Sequence, residues 1–160
     1  PPPRPVYFWQ IGNLKGSRPM QFLFSHAMLR VHDLQTTRRF FVDGLGLVEK
    51  QTCVNEAAGF TMVILNVPGD DQFEVHLTYN HDDQRYVGGR TFGHLAFFVD
   101  DLYTVCARIL ELGFTVARPP RDGVRAFLRT PEGISIELIK QGAPLPIIEP
   151  WASMANDGTW

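Results

Sequence analysis

Apolar and polar residues alternate with two periods along residues 21–140. Two-residue alternation, the mark of a strand, falls at 22–31, 47–54, 59–67, 73–80, 93–99, 114–118, 124–130 and 134–140. In the first run Ala27, Leu29 and Val31 share one face, and His26, Met28 and Arg30 the other. Two helical stretches interrupt the strands. Asp33 is placed to cap the first, which is expected to run to about 44–46, and Asp101 to cap the second, which stops near Gly113. The second carries Leu102, Val105, Ile109 and Leu112 at helical spacing, an apolar stripe that belongs to a core. The order is β-α-β-β-β, twice over, in an α+β fold.

The two halves also align residue by residue. Segment 25–34 matches 93–102, pairing His26 with His94 and Asp33 with Asp101. Segment 68–77 matches 131–138, with two extra residues in the first loop, and pairs His76 with Glu137. Alternation puts Glu74, His76, Thr78 and Asn80 on one face of the fourth strand, and Ser135 and Glu137 on one face of the eighth. An enclosed mid-strand His or Glu requires a partner, and a metal ion supplies one. Any one of these histidines, taken alone, reads first as a hydrogen-bonded or exposed residue. Four such residues at repeat-equivalent positions point to a divalent metal site of His26, His76, His94 and Glu137.

Composition sets the outer limits. With 160 residues, 44% of them hydrophobic, the chain can build one domain, or two half-domains that share a core. Three parts are expected: an irregular Pro- and Gly-rich arm at 1–20, the repeated domain at 21–140 (repeats at about 21–80 and 93–140), and a tail at 141–160. In the tail Pro144, Pro146 and Pro150 precede Trp151 and Trp160, aromatic groups expected to cover a groove or a dimer edge. A net charge of -2 with scattered Lys and Arg speaks against nucleic acid as a partner. No apolar run approaches the ~20 residues that span a bilayer. The start shows no basic region followed by an apolar one, so no secretory signal is expected; with a first residue other than Met, the true start is expected to lie outside this sequence. Cys53 and Cys106 lie in no metal spacing and read as reduced thiols of a cytoplasmic protein. His32 and His81 read as turn or surface residues, and Phe98 as a neighbour of His94 in the cavity.

Four motifs resemble the glyoxalase I (lactoylglutathione lyase) family of the vicinal-oxygen-chelate superfamily. They are His26-Ala27-Met28-Leu29-Arg30-Val31, Leu77-Thr78-Tyr79-Asn80, Gly93-His94-Leu95-Ala96, and Pro131-Glu132-Gly133 with Ile136-Glu137-Leu138-Ile139. The resemblance implies two βαβββ modules, each a cupped half-barrel, around a metal site. It implies a homodimer in which each site takes His26 and His76 from one chain and His94 and Glu137 from the other. One divalent ion per site is implied, Ni or Zn first, with Co or Fe(II) also accommodated by such ligands. The implied reaction isomerises the glutathione hemithioacetal of a 2-oxoaldehyde such as methylglyoxal, through an enediolate, to S-lactoylglutathione. Glu137, taken as the only carboxylate of the constellation, is the implied base. His76 is a fixed neutral ligand or a proton shuttle, and Arg30 and Asn80 hold the γ-glutamyl end of glutathione as co-substrate.

Two departures from the family pattern stand out. The family has Glu where this chain has His76, so three imidazoles and one carboxylate leave a net charge of about +1 with a divalent ion. The loop at 119–123 is short, and Arg121 stands in it as the candidate cation. Other chemistries of the same fold remain alternatives. His26, His94 and Glu137 make a facial triad of the kind that Fe(II) extradiol dioxygenases use. Epimerases, thiol transferases and non-catalytic ligand-binding proteins complete the set.

Overall fold

The structure is a computed structural model that describes residues 23–82, 84–89 and 91–158. The whole arm expected at 1–20, Phe22 at the start of the first expected strand and Trp160 lie outside the described residues. The first module runs β1 (His26–Arg30), α1 (Leu34–Arg39), β2 (Val48–Asn55), β3 (Phe60–Val67) and β4 (Asp70–Asn80). The second runs β5 (His94–Val99), α2 (Leu102–Glu111), β6 (Thr115–Arg118), β7 (Arg125–Arg129) and β8 (Ser135–Lys140). The modules form two four-stranded sheets of identical topology, β1-β4-β3-β2 and β5-β8-β7-β6. In each, the first and last strands of the module pair in parallel, while the other neighbours are antiparallel.

Local chemistry explains where the elements begin. Asp33 caps α1 by accepting the Thr36 N–H, and Asp101 caps α2 by accepting those of Tyr103 and Thr104. Glu132, in the turn between β7 and β8, reaches across to the first module. Its Oε1 accepts the N–H groups of His32 and Asp33 at 2.8 and 2.9 Å, which ties the entry of α1 to the second sheet. β4 starts at Asp70, ahead of the expected 73, because Gly69, at φ +79°, turns the chain straight from β3 into its partner strand.

The first helix departs from the expectation of one regular helix. After Arg39 it widens into a π-helical turn, Phe40–Gly44. Both Phe40 and Phe41 are fully buried there, and Phe40 meets Phe114 of the second module edge-on at 5.2 Å. Gly44 permits the approach of α2: a Cβ at this position would stand 2.7 Å from Ile109 Cδ1. Tertiary packing sets this turn, and no local pattern announces it.

The apolar faces of both sheets join in one core. Leu29, Val63, Leu65, Val75 and Leu77 from the first meet Ala126, Leu128, Ile136 and Leu138 from the second, around Cys106 and Ile109 of α2. Each large aliphatic group buried there contributes roughly 1.5–3 kcal/mol. The core thus takes one face of each sheet and leaves the polar faces for the site. No helix among the described residues is long and apolar enough to cross a membrane.

The tail is irregular but packed. Leu145 N–H bonds to Gly123 O, Asp157 N–H to Ala117 O, and Tyr103 Oη donates to Pro146 O. Trp151 is buried and stacks on Tyr103 of α2, ring centroids 5.8 Å apart. It therefore closes over the second module's helix, in keeping with the groove-covering role read from the sequence.

Candidate metal centre

The first half of the site is built by the β1–β4 ladder. His26 lies opposite Glu74, Met28 opposite His76 and Arg30 opposite Thr78, all on the polar face. The rings of His26 and His76 stack with centroids 4.0 Å apart and planes within 4° of parallel. Ser25 Oγ lies 3.0 Å from His26 Nδ1. His76 is buried, and its Nε2 is 2.8 Å from Glu74 Oε2. Lys50, from β2, donates to Glu74 Oε1 at 2.7 Å. Hydrogen bonds from Lys50 first and His76 second hold the Glu74 carboxyl at about 2, well below its ordinary 4.5.

The second half repeats the offset. His94 lies opposite Ser135, and Ala96 opposite Glu137. Glu137 is buried, with Oε2 3.1 Å from His94 Nε2 and Oε1 3.7 Å from Arg125 Nε. Phe127, opposite Glu137 on β7, meets the His94 ring in a T-shaped pair with centroids 5.6 Å apart, and the Arg118 guanidinium lies over the Phe127 ring.

The donors suit a divalent ion. Two ligand atoms that each sit about 2.1 Å from a metal at angles near 90–110° are about 3.0–3.4 Å from one another. The His94–Glu137 separation of 3.1 Å is compatible with such an edge. Within a single chain, however, the pairs stay apart. Among the described residues no three His, Cys, Asp or Glu side chains gather as an ion cage. Each sheet carries one pair of the candidate ligands.

Arg30 is exposed at the end of β1, and Asn80 ends β4 on the face of His76, its Nδ2 donating to Tyr86 Oη at 2.8 Å. Arg121 is engaged elsewhere: its guanidinium donates from Nε and Nη2 to Met154 O in the tail. The cation expected of the loop at 119–123 is therefore spent on anchoring the tail. Phe98 shares the face of His94 and is largely exposed. Glu137 is not the only carboxylate near the candidate ligands, because Glu74 stands beside His76. Alternation alone puts residues 74 and 76 on one face, whereas Lys50 comes from a strand that does not touch β4 directly, so no local pattern links it to Glu74.

The model of the Glyoxalase/Bleomycin resistance protein/Dioxygenase superfamily matches residues 23–138. The lactoylglutathione lyase of Haemophilus influenzae is 37% identical over 127 residues, 76% of this chain and 93% of that one. The chain belongs to this superfamily. A probable lactoylglutathione lyase of Vibrio parahaemolyticus is 36% identical over 72% of the chain and 88% of its own length. Among solved structures, glyoxalase I of Leishmania major superposes with a TM-score of 0.67 at 27% identity, over 72% of this chain and 84% of that one. Glyoxalase I of Zea mays gives 0.69 at 27% identity, over 76% of this chain and 45% of the maize chain. The superfamily match encloses His26, Arg30, His76, Asn80, His94 and Glu137 and stops short of the tail. The tail that holds Arg121 lies beyond the matched residues.

Proposed function

We propose that the protein is a lactoylglutathione lyase of the glyoxalase I type. It isomerises the hemithioacetal of glutathione and a 2-oxoaldehyde such as methylglyoxal to S-lactoylglutathione. The observation that carries this reading is the repeat-equivalent placement of His26/His76 and His94/Glu137, all within the stretch shared with the superfamily. The likeness to lactoylglutathione lyases selects this chemistry from those the fold supports.

In this reading the chain works as a homodimer. His26 and His76 of one protomer and His94 and Glu137 of its partner hold one divalent ion, Ni or Zn first, with Co or Fe(II) as further candidates. Such an ion supplies a Lewis acid for the two adjacent substrate oxygens. Glu137 takes the proton from C1 and returns it to C2, so the reaction is a net isomerisation that needs no outside oxidant. His94 and Arg125 keep the Glu137 carboxylate turned into the site. His76 acts as a fixed ligand, held by Glu74. Arg30 and Asn80 bind the γ-glutamyl end of glutathione. The free thiols Cys53 and Cys106 support a reducing compartment, and the cytoplasm is the proposed location.

The test is hemithioacetal turnover by protein reconstituted separately with Ni, Co, Zn and Fe(II). Glutathione-dependent formation of the thioester with at least one ion is expected. Protein that binds each ion and remains inert with all of them overturns the reading.

A further inference from the structure

Position 76 is where the two modules differ in chemistry. The second offers a carboxylate there, the first an imidazole. Yet the first sheet does hold a carboxylate, one same-face step back along β4. Glu74 Oε2 and His76 Nε2 are 2.8 Å apart, and Lys50 holds the other carboxylate oxygen at 2.7 Å. The carboxylate cannot leave the ring without breaking the Lys50 contact as well. An ionised carboxylate only accepts hydrogen bonds, so the hydrogen between the two groups belongs to Nε2 of the imidazole. In the neutral ring this leaves the lone pair on Nδ1. His26 is arranged the other way round: it is Nδ1 that meets a neighbouring polar group, Ser25 Oγ at 3.0 Å. The stacking of the two rings, 4.0 Å apart, makes their orientations interdependent.

We propose that Glu74 is a positioning residue for the ion site: it fixes His76 in the Nε2–H tautomer, presents Nδ1 as the donor nitrogen, and lends that nitrogen negative charge that a carboxylate at 76 would have brought directly. Ligating histidines commonly donate their second N–H to a carboxylate, which sets ring orientation and strengthens the donor. The inference rests on the metal reading above and adds a residue to it. It also accounts for the survival of an ion site in which a neutral ring replaces a charged ligand.

The experiment uses full-length protein labelled with ¹⁵N at histidine, with and without Zn²⁺. Ring-nitrogen shifts report the tautomer of His76 and the nitrogen that binds zinc. Competition with a chelator gives the Zn²⁺ dissociation constant for wild type, Glu74→Gln and Glu74→Ala. Wild type is expected to carry hydrogen on Nε2 and zinc on Nδ1. Glu74→Gln, whose amide oxygen still accepts from Nε2, should keep the tautomer and bind zinc about tenfold more weakly; Glu74→Ala should lose the single tautomer and weaken binding towards a hundredfold. A contact that serves folding alone would change the unfolding temperature and leave both readouts where they were. Zinc on Nε2 of His76 in wild type, or both variants within twofold of wild type, overturns the proposal while leaving the metal reading intact. Wild type that takes up no zinc overturns both. Turnover enters neither readout, so the substrate assignment stands or falls separately.

Discussion

His76 lies opposite Met28 in the parallel β1–β4 ladder, as Glu137 lies opposite Ala96 in β5–β8. The two residues hold one position in two copies of the same module. A glutamate at 76 would therefore stand where the second module already places one, beside the ring of His26. His76→Glu is expected to keep the ion, since carboxylate and imidazole both ligate such metals. It should also sustain or raise glutathione-dependent turnover, because it brings in a second potential base. Thioester formation by ion-replete protein checks this. A folded variant that is inert while wild type turns over shows instead that the imidazole itself is required.

Arg30 is exposed on the face that carries His26. If it grips the glutathione carboxylate, Arg30→Ala removes a charge-assisted contact made equally in ground and transition states. KM should then rise with kcat nearly unchanged, a loss of roughly 1.5–3 kcal/mol in kcat/KM. A fall in kcat at constant KM would place Arg30 in the chemistry instead.

Much of this architecture is legible in the letters because it is local. Strand alternation, the Asp33 and Asp101 caps and the repeat all depend on neighbours within a few residues, and the registers follow the alignment of His26 with His94 and His76 with Glu137. What escapes notice is set by distant contacts. The π-helical turn exists because Phe40 and Gly44 must meet Phe114 and Ile109 across the module boundary. Glu74 acquires its role through Lys50, 24 residues earlier. Arg121 turns from candidate ligand-binding cation to tail anchor through Met154, 33 residues later.

Glu74 also gives stability a pH dependence of defined sign. Its folded value of about 2 lies below the ordinary 4.5, so folding favours the ionised form. The stabilisation is complete above the ordinary value and is lost as pH falls through about 2. Wild type should therefore resist urea better than Glu74→Gln at neutral pH, and the gap should close on acidification from about pH 5 to pH 2. Urea midpoints measured at several pH values check this; a gap that widens towards acid contradicts it.

The tail should matter to stability through two residues. Gly123 has φ +67°, and a Cβ there would overlap the backbone of Leu145, so Gly123→Ala must push the tail off the second module. Trp151→Ala removes a buried ring stacked on Tyr103 and should cost about 3–5 kcal/mol. Both variants should unfold at lower temperature in calorimetry. Because the proposed ion ligands lie on β1, β4, β5 and β8, ion binding by the protein that stays folded should persist.

The arrangement of half-sites makes a sharper claim, testable by mixing inactive chains. His76 and Glu137 stand on different sheets, and among the described residues no three candidate ligands gather within one chain. If each site joins the first sheet of one protomer to the second sheet of its partner, His76→Ala and Glu137→Ala each damage both sites of their own homodimer. In a mixed dimer both lesions fall in the same site, and the other site is whole. Random exchange makes half the dimers mixed, so mixing equal amounts should restore about a quarter of the wild-type sites of a symmetric dimer. Catalysis within a single chain predicts no recovery, because every chain carries a lesion. The measurement is ion content and hemithioacetal turnover after unfolding the two variants together and refolding them, with each variant refolded alone as the control. Recovery near one quarter supports the shared site; a mixture as inert as its parents, with mixed dimers shown to be present by mass spectrometry, rules it out.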